Sequence, residues 1–374
     1  MKRLSMVLLA AAGCTTAQTN AANPTGSASA IRASSAEGMA NARIAGRWQP
    51  LASGTTAEFR GLSAPTETNA WASGTRGRFA RTTDGGRTWM LDSIPGASGL
   101  DLRDIHALGP TTAWAMSAGP AEQDQAQIFR TDDGGGRWTR QLAVRDSGVF
   151  FDALAFWDAQ HGIAMSDPTK GRLTIFVTDD GGANWSRVPM ENAPAMLPGE
   201  AAFAASGTCL AIQGSSNVWI GTGGAARARV FRSTDRGRTW SVAETPVTAG
   251  TNASGIFSVA FADENNGIVV GGDYTKPKGT SMNVAITADG GRTWRRPIGS
   301  LPQGYMSGAA FVPTTGGRSV VAVGLGGTAI SNDRGDTWTM VDTVGYNSVA
   351  FAARDVGWAV GPRGRISMWV TETR

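Results

Sequence analysis

Apolar residues in this chain fall in short runs broken by small and polar residues, and no stretch sustains a helical period. Residues 258–272 read Ser-Val-Ala-Phe-Ala-Asp-Glu-Asn-Asn-Gly-Ile-Val-Val-Gly-Gly. Residues 348–361 read Ser-Val-Ala-Phe-Ala-Ala-Arg-Asp-Val-Gly-Trp-Ala-Val-Gly. Each is an apolar strand, a polar turn and a second strand of small and aromatic residues ending in Gly, which is the pattern of a β-hairpin. Related pieces at 62–74, 105–119, 154–166, 217–223 and 319–324 bring the hairpins to seven.

A second repeat lies between them. Residues 287–294 read Thr-Ala-Asp-Gly-Gly-Arg-Thr-Trp, with counterparts at 82–89, 131–138, 178–185, 233–240 and 331–338. Each has a hydroxyl residue, Asp two positions later, Gly two after that, and Trp at the eighth place. The pattern predicts a tight turn. Its Asp (Asp84, Asp133, Asp180, Asp235, Asp289, Asp333) accepts hydrogen bonds from its own turn, its Gly takes positive φ, and its Trp opens the next strand. Arg137 and Asn184 stand where the other copies have Thr.

Seven hairpins against six such turns points to a ring closed by both ends of the chain. After the last hairpin, residues 363–370 supply a third strand, while residues 45–48, Ala-Gly-Arg-Trp, copy the tail of a turn such as Gly135-Gly136-Arg137-Trp138. Residues 48–51 would then be the missing fourth strand, paired with 366–370. The expectation is an all-β, seven-bladed β-propeller of four-stranded antiparallel blades over residues 46–374, closed by an N-terminal strand in the last blade.

The eight-residue pattern resembles the Asp-box (BNR) repeat, Ser/Thr-x-Asp-x-Gly-x-Thr-Trp, of sialidases, some glycoside hydrolases and photosystem II stability/assembly factors. Over nearly the whole domain, the Gly-x-x-Gly…Arg-Thr-x-Asp-Gly-Gly-x-Thr-Trp arrangement of residues 74–89 is most similar to that last family. The resemblance implies that the box is a fold element on the hairpin of the third and fourth strands, facing away from the usual site. All six Asp residues are then structural, neither catalytic nor metal-binding. It also implies a non-enzymatic seven-bladed propeller with an arginine-rich patch, a binding and assembly scaffold for a protein or anionic partner.

Residues 1–14 read as an export signal: Lys2 and Arg3, the apolar run 4–12, then Gly13-Cys14. The run is too short to anchor in a bilayer. Residues 11–14, Ala-Ala-Gly-Cys, resemble a bacterial lipobox, which makes Cys14 a lipidation site. Thr15 follows, so the expected destination is the outer membrane facing the periplasm, with a soluble periplasmic or secreted protein as the alternative. Residues 15–45 are rich in Ala, Ser, Thr, Asn and Gly, too poor in apolar bulk to fold, and read as a tether. With Cys14 lipidated, Cys209 is left alone in an apolar run as a buried core residue.

The search for chemistry yields mostly exclusions. A sialidase needs an arginine triad, a Tyr–Glu pair and an acid Asp; here only Tyr274, Tyr305 and Tyr346 exist, and Arg43-Ile44 is followed by Ala45. A carbohydrate-active hydrolase, sialidase-like or a glycoside hydrolase with Asp boxes, remains the alternative reading, with a carboxylate pair at the channel mouth drawn from Glu58, Asp101, Asp104, Asp152 and Glu200 near the inner strands. Each of these acids also has the option of pairing with a neighbouring Arg such as Arg60 or Arg103. His106 and His161 lack partners at metal-ligand spacing. Residues 221–226, Gly-Thr-Gly-Gly-Ala-Ala, match a loose dinucleotide fingerprint, but strand-like residues follow where a helix is needed, so an oxidoreductase has no residues behind it. No cofactor is expected.

One positive signal remains. If the boxes join third and fourth strands, the loops joining second and third strands project from the other face. These carry Arg76, Arg78, Lys170, Arg172, Arg227, Arg229, Lys276, Lys278, Arg363 and Arg365, against the acids Glu122, Asp124, Asp167 and Asp273. Arg suits carboxylate and phosphate recognition. The formal net charge of +4 includes Lys2 and Arg3, so the sequence implies no nucleic-acid partner. The expected partner is a protein or anionic ligand on a basic rim, the expected membrane link is a lipid only, and the expected state is monomeric.

Overall fold

The computed structural model describes residues 43–279 and 281–372. The export signal, Cys14 and residues 15–42 of the tether lie outside the described residues. Seven antiparallel sheets follow one another along the chain. Their first strands are Phe59–Ser63, Leu102–Ala107, Phe151–Phe156, Leu210–Gln213, Ser254–Phe261, Gly308–Phe311 and Ser348–Phe351. Each of these strands touches the first strand of the next sheet, and Ser348–Phe351 touches Phe59–Ser63. The sheets are therefore the seven blades of a propeller, with the first strands innermost.

The core is divided among the gaps between blades. Each of the seven hydrophobic clusters joins two neighbouring blades. Phe59, Leu62 and Ala72 of blade 1, for example, pack against Trp358, Val360 and Ile366 of blade 7. This is why second strands such as Ala70–Gly74 and Ala113–Ser117 are buried on both faces and lose the apolar–polar alternation of a one-sided sheet.

Blade 7 is built from both ends of the described chain, since Gly46–Leu51 pairs antiparallel with Ile366–Thr371 as the outer strand. The packed body begins earlier than residue 46. Ile44 is buried, and its N–H and carbonyl bond the Asn332 side chain at 2.9 and 3.1 Å. Blade 5 departs from the expected four strands: after Val284–Thr287 only a single bridge, Ile286 to Arg295, replaces the fourth. Pro297, two residues beyond that bridge, has no N–H to extend a ladder.

The six boxes join third to fourth strand positions, as expected. Thr82 Oγ1 accepts the Gly86 N–H at 2.9 Å and donates to Asp84 Oδ1 at 2.8 Å. Asp84 also accepts the Thr88 N–H at 3.0 Å and the Thr88 hydroxyl at 2.6 Å. The same bonds recur around Asp235, Asp289 and Asp333. At Asp180 the Asn184 amide replaces the hydroxyl at 2.8 Å, whereas Asp133 receives only the Arg137 N–H at that place, also at 2.8 Å. The Thr88 hydroxyl is the main cause that holds Asp84 at a pKa of about 2. These carboxylates are occupied by their own turns.

The box glycine also serves the packing between blades. Gly86 has φ 88°, and a Cβ there would stand 2.7 Å from Trp358 Nε1 in blade 7. Trp219 of blade 4 likewise donates from Nε1 to the carbonyl of Gly290 in the blade 5 box at 2.8 Å. The turn thus docks one blade on the next.

Candidate functional site

The first strands deliver side chains to one mouth of the central channel through irregularities in their pairing. In blade 1, Phe59 faces Gly74 but Gly61 faces Ser73, so Arg60 is an extra residue. The same shift singles out Arg103 between Leu102 and Asp104, Asp152 between Phe151 and Ala153, and Phe257 between Ile256 and Ser258. A β-bulge of this kind re-aims a side chain out of the alternation. All four line one cavity of about 430 Å³, together with Glu58, Phe150, Asp167, Phe203, Tyr274, Tyr305, Leu325, Asn347 and Pro362.

The floor of this cavity is a strap, residues 201–208, that leads into the inner strand of blade 4. Ala202 N–H bonds Asp167 Oδ1 of blade 3 at 3.3 Å, and the Ala204 and Ala205 carbonyls accept from Arg103 at 3.1 Å and Arg60 at 3.4 Å. Ser206 Oγ donates to the Ser307 carbonyl of blade 6 at 2.8 Å, and the Thr208 carbonyl accepts the Val259 N–H of blade 5 at 2.8 Å. Contacts with blades 1, 2 and 3 on one side and 5 and 6 on the other carry the strap across the channel. Its sequence, Ala-Ala-Phe-Ala-Ala-Ser-Gly-Thr, is small enough to fit. Gly207, at φ 73°, lies where a Cβ would overlap the Asp104 carboxylate.

The acids named from sequence are all placed. Glu58 pairs with Arg60 at 2.6 Å and Asp101 with Arg103 at 2.7 Å. Glu200 is buried against Arg229 and also accepts the Thr222 hydroxyl at 2.6 Å. Asp104 accepts the Ile105 and Leu154 N–H groups at 2.8 Å each, yet burial pushes its pKa up to about 7. Asp152 and Asp167 share the cavity; burial raises both, and for Asp152 the neighbouring Asp167 charge raises it further. His161 bonds Asp158 at 2.8 Å, and His106 packs on Phe156. Cys209 is buried, with its thiol pushed up by that burial. Among the described residues no cluster of His, Cys, Asp and Glu could hold a metal ion. Residues 221–226 run from a strand into a loop and on to the next strand, Arg229–Ser233.

The basic loops divide into two groups. Arg229 is committed to Glu200, Arg227 to Glu244, Arg365 to the Gly345 carbonyl, Arg172 to the Ala193 carbonyl at 2.6 Å and Lys276 to Asp273 at 3.6 Å. Arg76, Arg78, Lys170, Lys278 and Arg363 have no ion pair or side-chain hydrogen bond among the described residues. Arg76, Lys170 and Arg363 take φ of 62°, 54° and 57° and each precedes a Gly at positive φ, the geometry of a tight hairpin turn with its first corner side chain outward. Arg76 and Arg78 line a cleft of about 530 Å³ with residues 54–57. On the other flank of that loop the Gly364 N–H, next to Arg363, bonds the Ala57 carbonyl at 2.7 Å. Three unpaired arginines thus surround one loop.

Sequence reasoning named the outer cations and, for the alternative reading, two of the channel-mouth acids, Glu58 and Asp152, but not the aromatic residues or the strap beside them. Arg60 and Arg103 entered only as partners for acids, and Phe203, Phe257 and the strap were not singled out. A usable signal was present, because Phe59-Arg60, Leu102-Arg103, Phe151-Asp152 and Ile256-Phe257 hold the same position in four first strands.

No family model matches the sequence, and no curated protein matches it. Solved structures do. A structure described as YCF48 bound to D1 peptide superposes with a TM-score of 0.61 at 17% identity, covering 88% of this chain and 97% of that one. YCF48 from Cyanidioschyzon merolae gives a TM-score of 0.61 at 18% identity, covering 87% of this chain and 99% of that one. The chain has the fold of a YCF48-like propeller. At this identity the YCF48 likeness establishes architecture, and the ligand question rests on the residues described above.

Proposed function

We propose that this YCF48-like chain is a non-catalytic binding scaffold that holds an acidic protein segment on the face carrying the second-to-third strand loops. The observation that carries the reading is the set of unpaired arginines, Arg76, Arg78 and Arg363, around residues 54–57. Most half-buried arginines of this chain bond an acid or a backbone carbonyl, so an Arg with neither is available for a carboxylate supplied from outside. A peptide in one similarly folded propeller supports a protein client. Residues 1–14 support export, with Cys14 as lipid anchor.

The test is fluorescence anisotropy with a labelled oligo-glutamate peptide and a neutral peptide of equal length. The wild type should bind only the acidic one, less tightly as NaCl rises. Arg76→Glu, Arg78→Glu and Arg363→Glu together should abolish binding; unchanged affinity would refute the reading. For the anchor, Cys14→Ser should release the protein from the membrane fraction, and a wild type that is already soluble would remove that part of the proposal.

A further inference from the structure

The cavity at the channel mouth holds more carboxylates than cations. From blade 1 it receives Glu58 and Arg60, which pair with each other at 2.6 Å. From blade 2 comes Arg103, paired with Asp101 at 2.7 Å. Blade 3 contributes Asp152 and Asp167, and no further Lys or Arg lines the space. Asp104 stands behind the strap, and the remaining titratable groups nearby, Tyr274, Tyr305 and Cys209, are neutral when protonated. Asp152 is 1% exposed, and its Oδ2 has no hydrogen-bond partner.

Much of the remaining lining is aromatic. Phe203 stacks on Phe257 at 3.9 Å, Tyr305 meets Phe257 edge-on at 4.7 Å, and Tyr274, Leu325 and Pro362 extend the surface outward. Aromatic faces attract cations, and an apolar wall rewards burial of a hydrocarbon stem. The Arg103 charge and the Ala204 and Asp167 N–H groups act against the rise at Asp152, but burial outweighs them and Oδ2 stays unpartnered; a buried carboxyl so placed is costly to ionise. We propose that this cavity binds an organic cation, a primary amine on an apolar or aromatic stem, with its ammonium at Asp152 and Asp167 and its stem on the Phe203–Phe257 wall.

Burial holds Asp152 well above the ordinary carboxylate range and Asp167 at about 6, so an ammonium arriving here displaces a proton held chiefly by Asp152. Binding then releases a proton. The amine could be a free small molecule or the Lys side chain of a polypeptide crossing this face. The proposal is independent of the scaffold reading, because none of Arg76, Arg78 and Arg363 lines this cavity.

Isothermal titration of the full chain with 2-phenylethylamine, 2-phenylethanol and 3-phenylpropionate tests it. The amine should bind at least about tenfold more tightly than the other two, a difference of about 1.4 kcal/mol. Its heat should change with the ionisation enthalpy of the buffer. Asp167→Asn, whose side chain is partly exposed, should reduce amine affinity about tenfold or more, as should Asp152→Asn. Phe257→Leu should weaken binding of the amine while sparing the proton release. A short acetylated peptide with one Lys identifies the source: tighter binding than the amine points to a polypeptide, weaker binding to a free amine. Equal affinity for the alcohol, a folded Asp152→Asn/Asp167→Asn double variant with full amine affinity, or no amine binding would each overturn the proposal. So would turnover of a glycoside that Asp167→Asn abolishes, which would make the two carboxyls a hydrolytic pair.

Discussion

Trp48 Nε1 donates a hydrogen bond to Thr328 Oγ1 at 2.9 Å, joining residues 280 positions apart in sequence. Trp48 belongs to the outer strand of blade 7 and Thr328 to the third strand of blade 6, so one contact ties the first described strand to the last two blades. The indole also meets Trp369 edge-on at 5.0 Å and lies 5.7 Å from Tyr346. Trp48→Ala should destabilise the domain by about 3–5 kcal/mol through the cavity left in this core. Trp48→Phe and Thr328→Val should each cost about 1 kcal/mol, and the two together less than their sum. Urea unfolding of the four proteins checks this; strict additivity would mean that the bond contributes nothing.

Arg229 was expected on the binding rim and is instead the cation for Glu200, whose side chain is 0% exposed. Glu200 accepts the Leu197 N–H at 2.8 Å as well, so it fixes the loop leading into the strap. Arg229→Ala would leave that carboxylate buried without its partner and should cost about 3–5 kcal/mol. Replacing both Arg229 and Glu200 by Leu should recover much of that loss. Thermal unfolding reads the stability, and oligo-glutamate affinity at a permissive temperature should be unchanged.

Gly207→Ala tests whether the strap is held as tightly as its contacts indicate. Gly54, at φ 68°, has open space where a Cβ would go, so Gly54→Ala isolates the cost of the backbone conformation, about 1 kcal/mol. At Gly207 the added methyl would also press on the buried Asp104 carboxylate, and the loss should exceed that of the control by about 1–3 kcal/mol. Equal unfolding free energies for the two variants would show a strap that moves aside.

Stability should fall as pH rises from 6.5 to 8. A carboxylic acid whose pKa is raised by folding keeps its proton in the native state when the unfolded chain has lost it, so raising the pH favours unfolding until the folded pKa is passed. Asp104, at about 7, completes its loss within this window, and Asp152, raised well above the ordinary carboxylate range, continues it. His106, lowered to about 4 chiefly by burial, works in the opposite direction, but mainly below its unfolded pKa of 6.5. The unfolding midpoint measured at both pH values should be lower at pH 8. Asp152→Asn should flatten the difference, and a midpoint that rises with pH would contradict the assignment.

The repeats alone determined the architecture. A hydroxyl, Asp, Gly and Trp at fixed spacing specify a turn through local hydrogen bonds and two successive positive φ angles, and local chemistry is what a sequence displays directly. Six copies and seven hairpins then left one arrangement that uses every strand, and the fractional blade was legible as Ala45-Gly46-Arg47-Trp48. Which charges are free was decided only by tertiary structure. Arg78 and Arg229 occupy equivalent places at the start of a third strand, but Glu200 arrives at Arg229 from 29 positions away and nothing arrives at Arg78. The full lining of the channel mouth, beyond Glu58 and Asp152, was hidden for the same reason. A bulge at Arg60 or Asp152 depends on how one strand registers against its neighbour, and the strap crosses the channel because five other blades offer it partners. Those relations join residues far apart along the chain, and no local pattern encodes them.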